Sequence, residues 1–176
     1  RSINRARADD ASAVVFDIDT FGGRVDSALQ IATLIGGLDP IESVAWVTGG
    51  QDGTGVSWSA GALISLSARR IYMGPGTSMG AAAPVSIGAG GEAQAGSEKE
   101  VSAVRAQMAA LAEKNGYPKG LAEAMVDDDV ELLEALVDGR STLLTRGEVP
   151  EAGRRAREEG RTFELGVVVS PPGKLL

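Results

Sequence analysis

"ASAVVFDIDTFGGRVDSALQIATLIGGLDPIESVAWVT" (11–48) is the stretch that decides the fold. Residues 11–19 form a short β-branched run and read as a buried strand. Gly22-Gly23 break it. Val25, Leu29, Ile31, Ala32 and Ile35 then recur at helical spacing until Gly36-Gly37 stop the pattern. "ESVAWVT" (42–48) reads as a second buried strand. Strand, helix and strand joined by short connections make a βαβ unit, and a parallel sheet follows from it.

Upstream, "RSINRARADD" (1–10) reads as the end of a helix already under way. Downstream, "GGQDGTG" (49–55) is a loop, "SAGALISLSA" (59–68) a small-residue helix and "RRIYM" (69–73) a third strand. Residues 74–97 are Gly-rich and weakly patterned, and 86–97 are expected to be poorly ordered without a ligand. A strong helix covers 98–116, with Val101, Val104, Met108, Leu111 and Ala112 as its apolar face and Asn115-Gly116 as its stop. A short helix follows over 120–126. Residues 130–145 read either as a hairpin turning at Asp138-Gly139 or as a helix carrying Leu132, Leu133, Leu136 and Val137. The hairpin is favoured. Residues 149–160 read as a polar helix and 161–170 as a strand. The ending "SPPGKLL" (170–176) has no closing element, so a piece of a longer protein is expected.

With 176 residues, 43% of them hydrophobic, the chain suits one compact domain with a substantial core. Aromatics make up only 4%, so Ala, Val, Leu and Ile must fill that core. A net charge of −7 and a pI near 4.7 argue against nucleic acid as a partner. Absence of Cys removes thiol catalysis, disulfides and thiolate zinc sites. No apolar run reaches the ~18 residues of a membrane span, and no signal peptide is expected. The acidic "DDD" (127–129) reads as a helix-ending turn rather than a cation site, so neither metal nor cofactor is expected.

Three features fall at the carboxyl ends of strands, where open α/β sheets place their sites. They are "DTFGG" (19–23), Ser59 at the mouth of a helix, and "GPGTSMGAAAP" (74–84). Gly22 and Gly23 can bring backbone amides close to a ligand because no Cβ blocks approach. The Ala60 amide sits at a helix N-terminus, whose dipole favours negative charge. Those amides suit an oxyanion beside a Ser59 nucleophile. The same residues also read as a turn and a helix cap. A serine nucleophile needs a base, and the chain has no histidine. Lysine is the substitute, and the lysines are Lys99, Lys114, Lys119 and Lys174. Lys114 and Lys119 flank a helix-ending turn and Lys174 lies in a tail. Lys99 opens the long helix, where the dipole opposes its charge, but Glu98 and Glu100 beside it favour a solvated cation. Position alone leaves both readings open.

"FDIDTFGGRVDSALQI" (16–31), "SAGALISLSA" (59–68) and "IYMGPGTSMGAAAPV" (71–85) resemble, in order and spacing, the ClpP-class membrane-bound serine proteases of the NfeD family. The resemblance covers about residues 10–127 and implies a ClpP/crotonase-like α/β fold. It implies a core over 1–127 and a C-terminal α+β extension over 128–176. It also implies a Ser–Lys dyad of Ser59 and Lys99, oxyanion amides from Gly22, Gly23 and Ala60, and no metal or cofactor. Phe21 stands where the family usually has proline, and "QDGTGVSW" (51–58) is an unusual approach to the nucleophile. The family starts with a further strand and continues beyond "GKLL". Family members are membrane-tethered, extracytoplasmic endopeptidases that cleave apolar segments, including those of stomatin-like partners, and related members form dimers. A groove lined by Phe21, Met79 and Val85, flanked by residues 86–97, is expected to take such segments. Signal-peptide-peptidase-like proteolysis and a catalytically silent binding scaffold are the alternatives. A crotonase-type acyl-CoA enzyme would not require serine and lysine together.

Overall fold

The computed structural model describes residues 2–50, 52–87, 90–174 and 176. The chain forms two compact units, Arg1–Ala82 and Ala83–Leu176.

In the first unit the elements run α1 (Ser2–Ala8), β1 (Ala13–Ile18), α2 (Val25–Gly36), β2 (Glu42–Val47), β3 (Val56–Trp58), α3 (Ala60–Leu66), β4 (Arg70–Met73) and β5 (Ser78–Gly80). The expected βαβ unit is present. β2 lies between β1 and β4, parallel to both, with Phe16 opposite Ala45 and Ala45 opposite Ile71. Ile18, Ile35, Ala45 and Ala68 form a buried cluster, with Phe16, Ile64 and Ile71 packed around it. Small side chains at Ala28 and Ala32 on α2 let that helix approach closely.

Two expectations need correction. The β-branched runs do not make strands buried on both faces. β1 alternates, and Val15, Trp46 and Tyr72 stand exposed on the face opposite the cluster. Successive strand residues point to opposite faces, so covering one face with helices buries only every second residue. On α2 the buried stripe is Ala28, Ala32 and Ile35, whereas Val25 and Ile31 are exposed. Ile31 follows Ala28 by three residues but leads Ile35 by four, which places it at the stripe's margin.

The Gly-rich region 74–97 contains three short strands. β5 pairs in parallel with β3, and in the second unit β6 (Val85–Ile87) and β7 (Ala93–Ala95) form an antiparallel hairpin. Within the segment expected to be poorly ordered, residues 88 and 89 lie outside the described residues. Then follow α4 (Glu98–Asn115), α5 (Lys119–Ala124), β8 (Leu132–Val137), β9 (Arg140–Thr145), α6 (Val149–Glu158) and β10 (Phe163–Ser170). Position 127/128 falls between α5 and β8, inside this unit.

The favoured hairpin at 130–145 is present. Asp138 (φ 52°) and Gly139 (φ 73°) are both left-handed, the geometry of a two-residue primed turn. The Asp138 carboxylate accepts from Arg161 Nε at 2.7 Å and from the Thr162 N–H at 2.9 Å, which carries the chain into β10. β8 lies between β10 and β9, antiparallel to both. α4 begins with a reciprocal capping box between Ser97 and Glu100 and ends at left-handed Gly116. Its buried residues are Met108, Ala109, Leu111 and Ala112, while Val101 and Val104 are only partly covered.

Candidate active site

Ser59 is the single residue between β3 and α3. Its backbone has φ 53° and ψ −118°, and its side chain makes no capping bond to the helix it precedes. An L-residue at positive φ is strained by about 1–3 kcal/mol and persists only when its surroundings hold it there. The turn is held from several sides. The Ser59 N–H donates to the Gly80 carbonyl at 2.9 Å, and the Ser59 carbonyl accepts from Ala62 at 3.0 Å. Thr20 bridges to β3, giving its N–H to Val56 at 2.7 Å and accepting from the Trp58 N–H at 3.0 Å. Beneath the turn, the Ser57 and Ser65 hydroxyls pair at 2.9 Å, and both residues are fully buried. This sharp strand-to-helix reversal resembles the turns that expose a serine hydroxyl at the top of other α/β sheets. With the side-chain cap absent, the helix-cap reading of Ser59 loses its physical basis.

Small residues pack against this turn because nothing larger fits. A Cβ on Gly22 would stand 2.7 Å from Ser59 Cβ and 3.2 Å from Ser59 Oγ, and Gly22 has φ +120°. A Cβ on Gly61 would stand 2.7 Å from Thr20 Cγ2. The two glycines of the pair differ. The Gly22 N–H already donates to Thr20 Oγ1 at 3.1 Å, which leaves it less suited to an oxyanion than expected. Gly23 has open space on its Cα, with nothing within 4 Å of a built Cβ. Ala60 occupies the first helical position of α3, where the N–H has no intrahelical acceptor.

The approach to the nucleophile is tied to β1 through Asp19. Its carboxylate accepts from Thr54 Oγ1 at 2.7 Å, the Thr54 N–H at 2.9 Å and the Val56 N–H at 3.2 Å. These bonds, led by the Thr54 hydroxyl, hold the Asp19 carboxyl below the ordinary carboxylate range. Gly53 is required underneath, since a Cβ there would collide with the same carboxylate. Beside Gly23, the Arg24 guanidinium donates to Asp26 and, with the Ser27 N–H, lowers that carboxyl to about 2.

Phe21 is exposed and meets Trp58 edge-to-face, with ring centroids 5.5 Å apart. Met79 lies half-buried in β5 opposite Ser57. Val85 opens β6 in the second unit and is exposed. Lys99, also in the second unit, is exposed in the first turn of α4, immediately after the capping box begins. Asp127 of the "DDD" stretch pairs with Arg105 and caps the Asp129 N–H at 3.0 Å. Among the described residues no cluster of carboxylates is arranged to hold a metal ion.

Asp19, Trp58 and the Ser57–Ser65 pair went unnoticed in the sequence. Alternation would have found Trp58: a strand that buries Ser57 must turn its neighbour outward. Asp19 carried no signal, because its partners lie 35 and 37 residues away.

The parallel sheet, the serine at a strand-to-helix reversal and the glycine pair facing it define an α/β domain of the ClpP-like class. Two solved structures of the 1510-N membrane-bound stomatin-specific protease share it. One is a serine-to-alanine mutant (28% identity, TM-score 0.65, covering 87% of this chain and 67% of that one). The other is a lysine-to-alanine mutant in complex with a substrate peptide (27% identity, TM-score 0.66, covering 87% and 63%). The sequence model of the family described as NfeD1b, N-terminal domain, matches residues 1–154, and the chain belongs to this family. It is 39% identical over 134 residues to the membrane protein NfeD1b of Bacillus subtilis, covering 76% of this chain and 28% of that protein. It is 31% identical over 154 residues to the membrane-bound protease PH1510 of Pyrococcus horikoshii, covering 83% of this chain and 33% of that protein. The chain thus spans about a third of the length of these relatives. No helix among the described residues is long and apolar enough to cross a membrane.

Proposed function

We propose that this chain is the catalytic domain of a serine endopeptidase that uses Ser59 as nucleophile and Lys99 as base. The observation that carries the reading is the backbone of Ser59: positive φ, no side-chain cap, and no room for a Cβ on Gly22 beside it. Strain of this kind has no use in a helix cap. Its use is to present a hydroxyl. The likeness to a protease solved with a substrate peptide supports the same reading.

In this mechanism Ser59 Oγ bonds to the scissile carbonyl carbon as its proton passes to the neutral Lys99 amine. The carbonyl oxygen becomes an oxyanion, held by the Gly23 and Ala60 N–H groups. The C–N bond then breaks, and Lys99 returns the proton to the leaving amine. Water attacks the acyl-serine, giving a proton to Lys99 that goes back to Ser59 as the acid leaves. Residues 1–127 serve as the core of this activity and 128–176 as its extension. The proposed substrate is an apolar segment of a membrane-associated protein, with a stomatin-like partner suggested by the relative's name. The proposed setting is the extracytoplasmic face of a membrane, with the chain acting as a homodimer or higher homo-oligomer.

An alkyl fluorophosphonate tests the reading. It should label Ser59, located by peptide mass spectrometry, and Ser59→Ala should abolish the adduct. Absence of labelling from pH 6 to 10 overturns it in favour of a binding scaffold, and labelling confined to another serine overturns the assignment of Ser59.

A further inference from the structure

Phe21 and Trp58 form an exposed aromatic pair on either side of the two backbone segments that meet at Ser59. Phe21 directly precedes Gly22-Gly23, and Trp58 directly precedes Ser59. Their rings meet at 5.5 Å and 73°. Phe21 remains 64% exposed and Trp58 37% exposed. In a chain with only 4% aromatics, two of them sit at this one turn, uncovered. Phe21 keeps most of its surface in water and Trp58 over a third of its own, so much of the pair's apolar surface stays available to a ligand.

The pair is also pre-organised. Trp58 Nε1 donates to Ser78 Oγ at 2.8 Å, which fixes the indole plane relative to β5. β5 in turn holds Ser59, through Gly80. The indole, the Ser59 backbone and, through Thr20, Gly22 therefore belong to one hydrogen-bonded frame. A rigid aromatic surface binds an apolar side chain at little entropic cost.

Resting on the peptidase reading above, we infer that Phe21 and Trp58 are specificity-determining residues: an aromatic wall beside Ser59 that receives an apolar side chain next to the scissile bond. The class of substrate that fits is a peptide with a large aliphatic or aromatic residue there. An acidic or basic side chain would lose hydration against the rings without gaining a partner, as no charged group forms part of the pair.

Peptidyl phosphonates that share one sequence, and differ only in a Phe, Leu, Ala or Glu side chain at the position adjacent to phosphorus, test this against an alkyl fluorophosphonate that carries no such group. Wild-type protein should react with the Phe and Leu compounds at least about tenfold faster than with the Ala or Glu compounds. Phe21→Ala and Trp58→Ala should each collapse that ratio toward one when every peptidyl rate is divided by the same variant's own rate with the alkyl probe. Trp58→Phe, which keeps an apolar ring but loses the Nε1 donor, should retain most of the preference, and thermal melts establish that each variant is folded. Retention of the full preference in both alanine variants overturns the inference. So does equal loss of alkyl and peptidyl reactivity in folded Trp58→Ala, which would make Trp58 a support for the nucleophile turn. Wild-type protein that refuses the alkyl probe overturns the peptidase reading itself, and this inference with it.

Discussion

Gly22 faces Ser59 across a space too small for a side chain: a Cβ on Gly22 would stand 2.7 Å from Ser59 Cβ and 3.2 Å from its Oγ. Gly22→Ala should therefore harm Ser59 directly. The substitution meets two obstacles, a positive φ of 120° and an atom overlap, and neither can relax without moving the turn. Fluorophosphonate labelling of Ser59 should slow by at least about tenfold, for a displacement worth about 1.4 kcal/mol or more. Labelling at the wild-type rate would show that the turn tolerates a Cβ there.

Ser57 and Ser65 share a fully buried hydrogen bond that joins β3 to α3 beneath the nucleophile. Ser65→Ala leaves the Ser57 hydroxyl buried without that partner, at a cost of about 1–3 kcal/mol. Replacing both serines with alanine should recover part of that loss, because no polar group is then stranded. Thermal melts of the two variants give the comparison. A double variant less stable than Ser65→Ala by the full cost of a second independent loss would contradict it.

Asp19 makes stability depend on pH in a defined direction. Its folded carboxyl titrates below the ordinary value because Thr54 and Val56 donate to the charged form. The stabilisation is thus complete above the unfolded value, near ~3.9, and is lost as pH falls through the folded one. Asp19→Asn lacks the charge at every pH. The gap in melting temperature between wild type and Asp19→Asn should be largest near pH 7 and narrow as pH falls below about 3.9 toward the lowered folded value. A gap of constant size over that range would assign the difference to packing.

Lys99 carries the base role in the proposed mechanism, so Lys99→Ala should remove turnover by orders of magnitude, as should Ser59→Ala. The two losses should not add in the double variant, because the groups act as a unit. Lys114→Ala and Lys119→Ala should remain near wild type, which separates loss of a base from loss of positive charge. Near-full turnover of folded Lys99→Ala would transfer the role to another group.

The sequence by itself determined those features whose cause is local. Alternation of β-branched runs with helical periodicity was enough for the βαβ unit, since each element's period repeats within a few residues. Asp138-Gly139 favoured a hairpin over a helix at 130–145 because few residues other than Asn, Asp and Gly accept two successive left-handed conformations. The apolar face from Val101 to Ala112 and the Asn115-Gly116 stop were enough for α4. Ser59 stood out by its small neighbours.

Tertiary structure decided what depends on residues far apart in the chain. β3 and β5 have three residues each, too few to show a period, and they exist as strands only by pairing with each other and through Thr20. Which face of β1 and β2 is buried followed from where α2 and α3 packed, so Val15 and Trp46 became surface residues despite their apolar character. Gly22 and Gly23 are identical in sequence terms, yet the Thr20 hydroxyl occupies the amide of the first alone. The positive φ of Ser59 is imposed by bonds from Gly80, Thr20 and the helix. Strain at a single residue leaves no mark in composition or spacing: it is held by the sum of contacts around it, and those form only when the chain is folded.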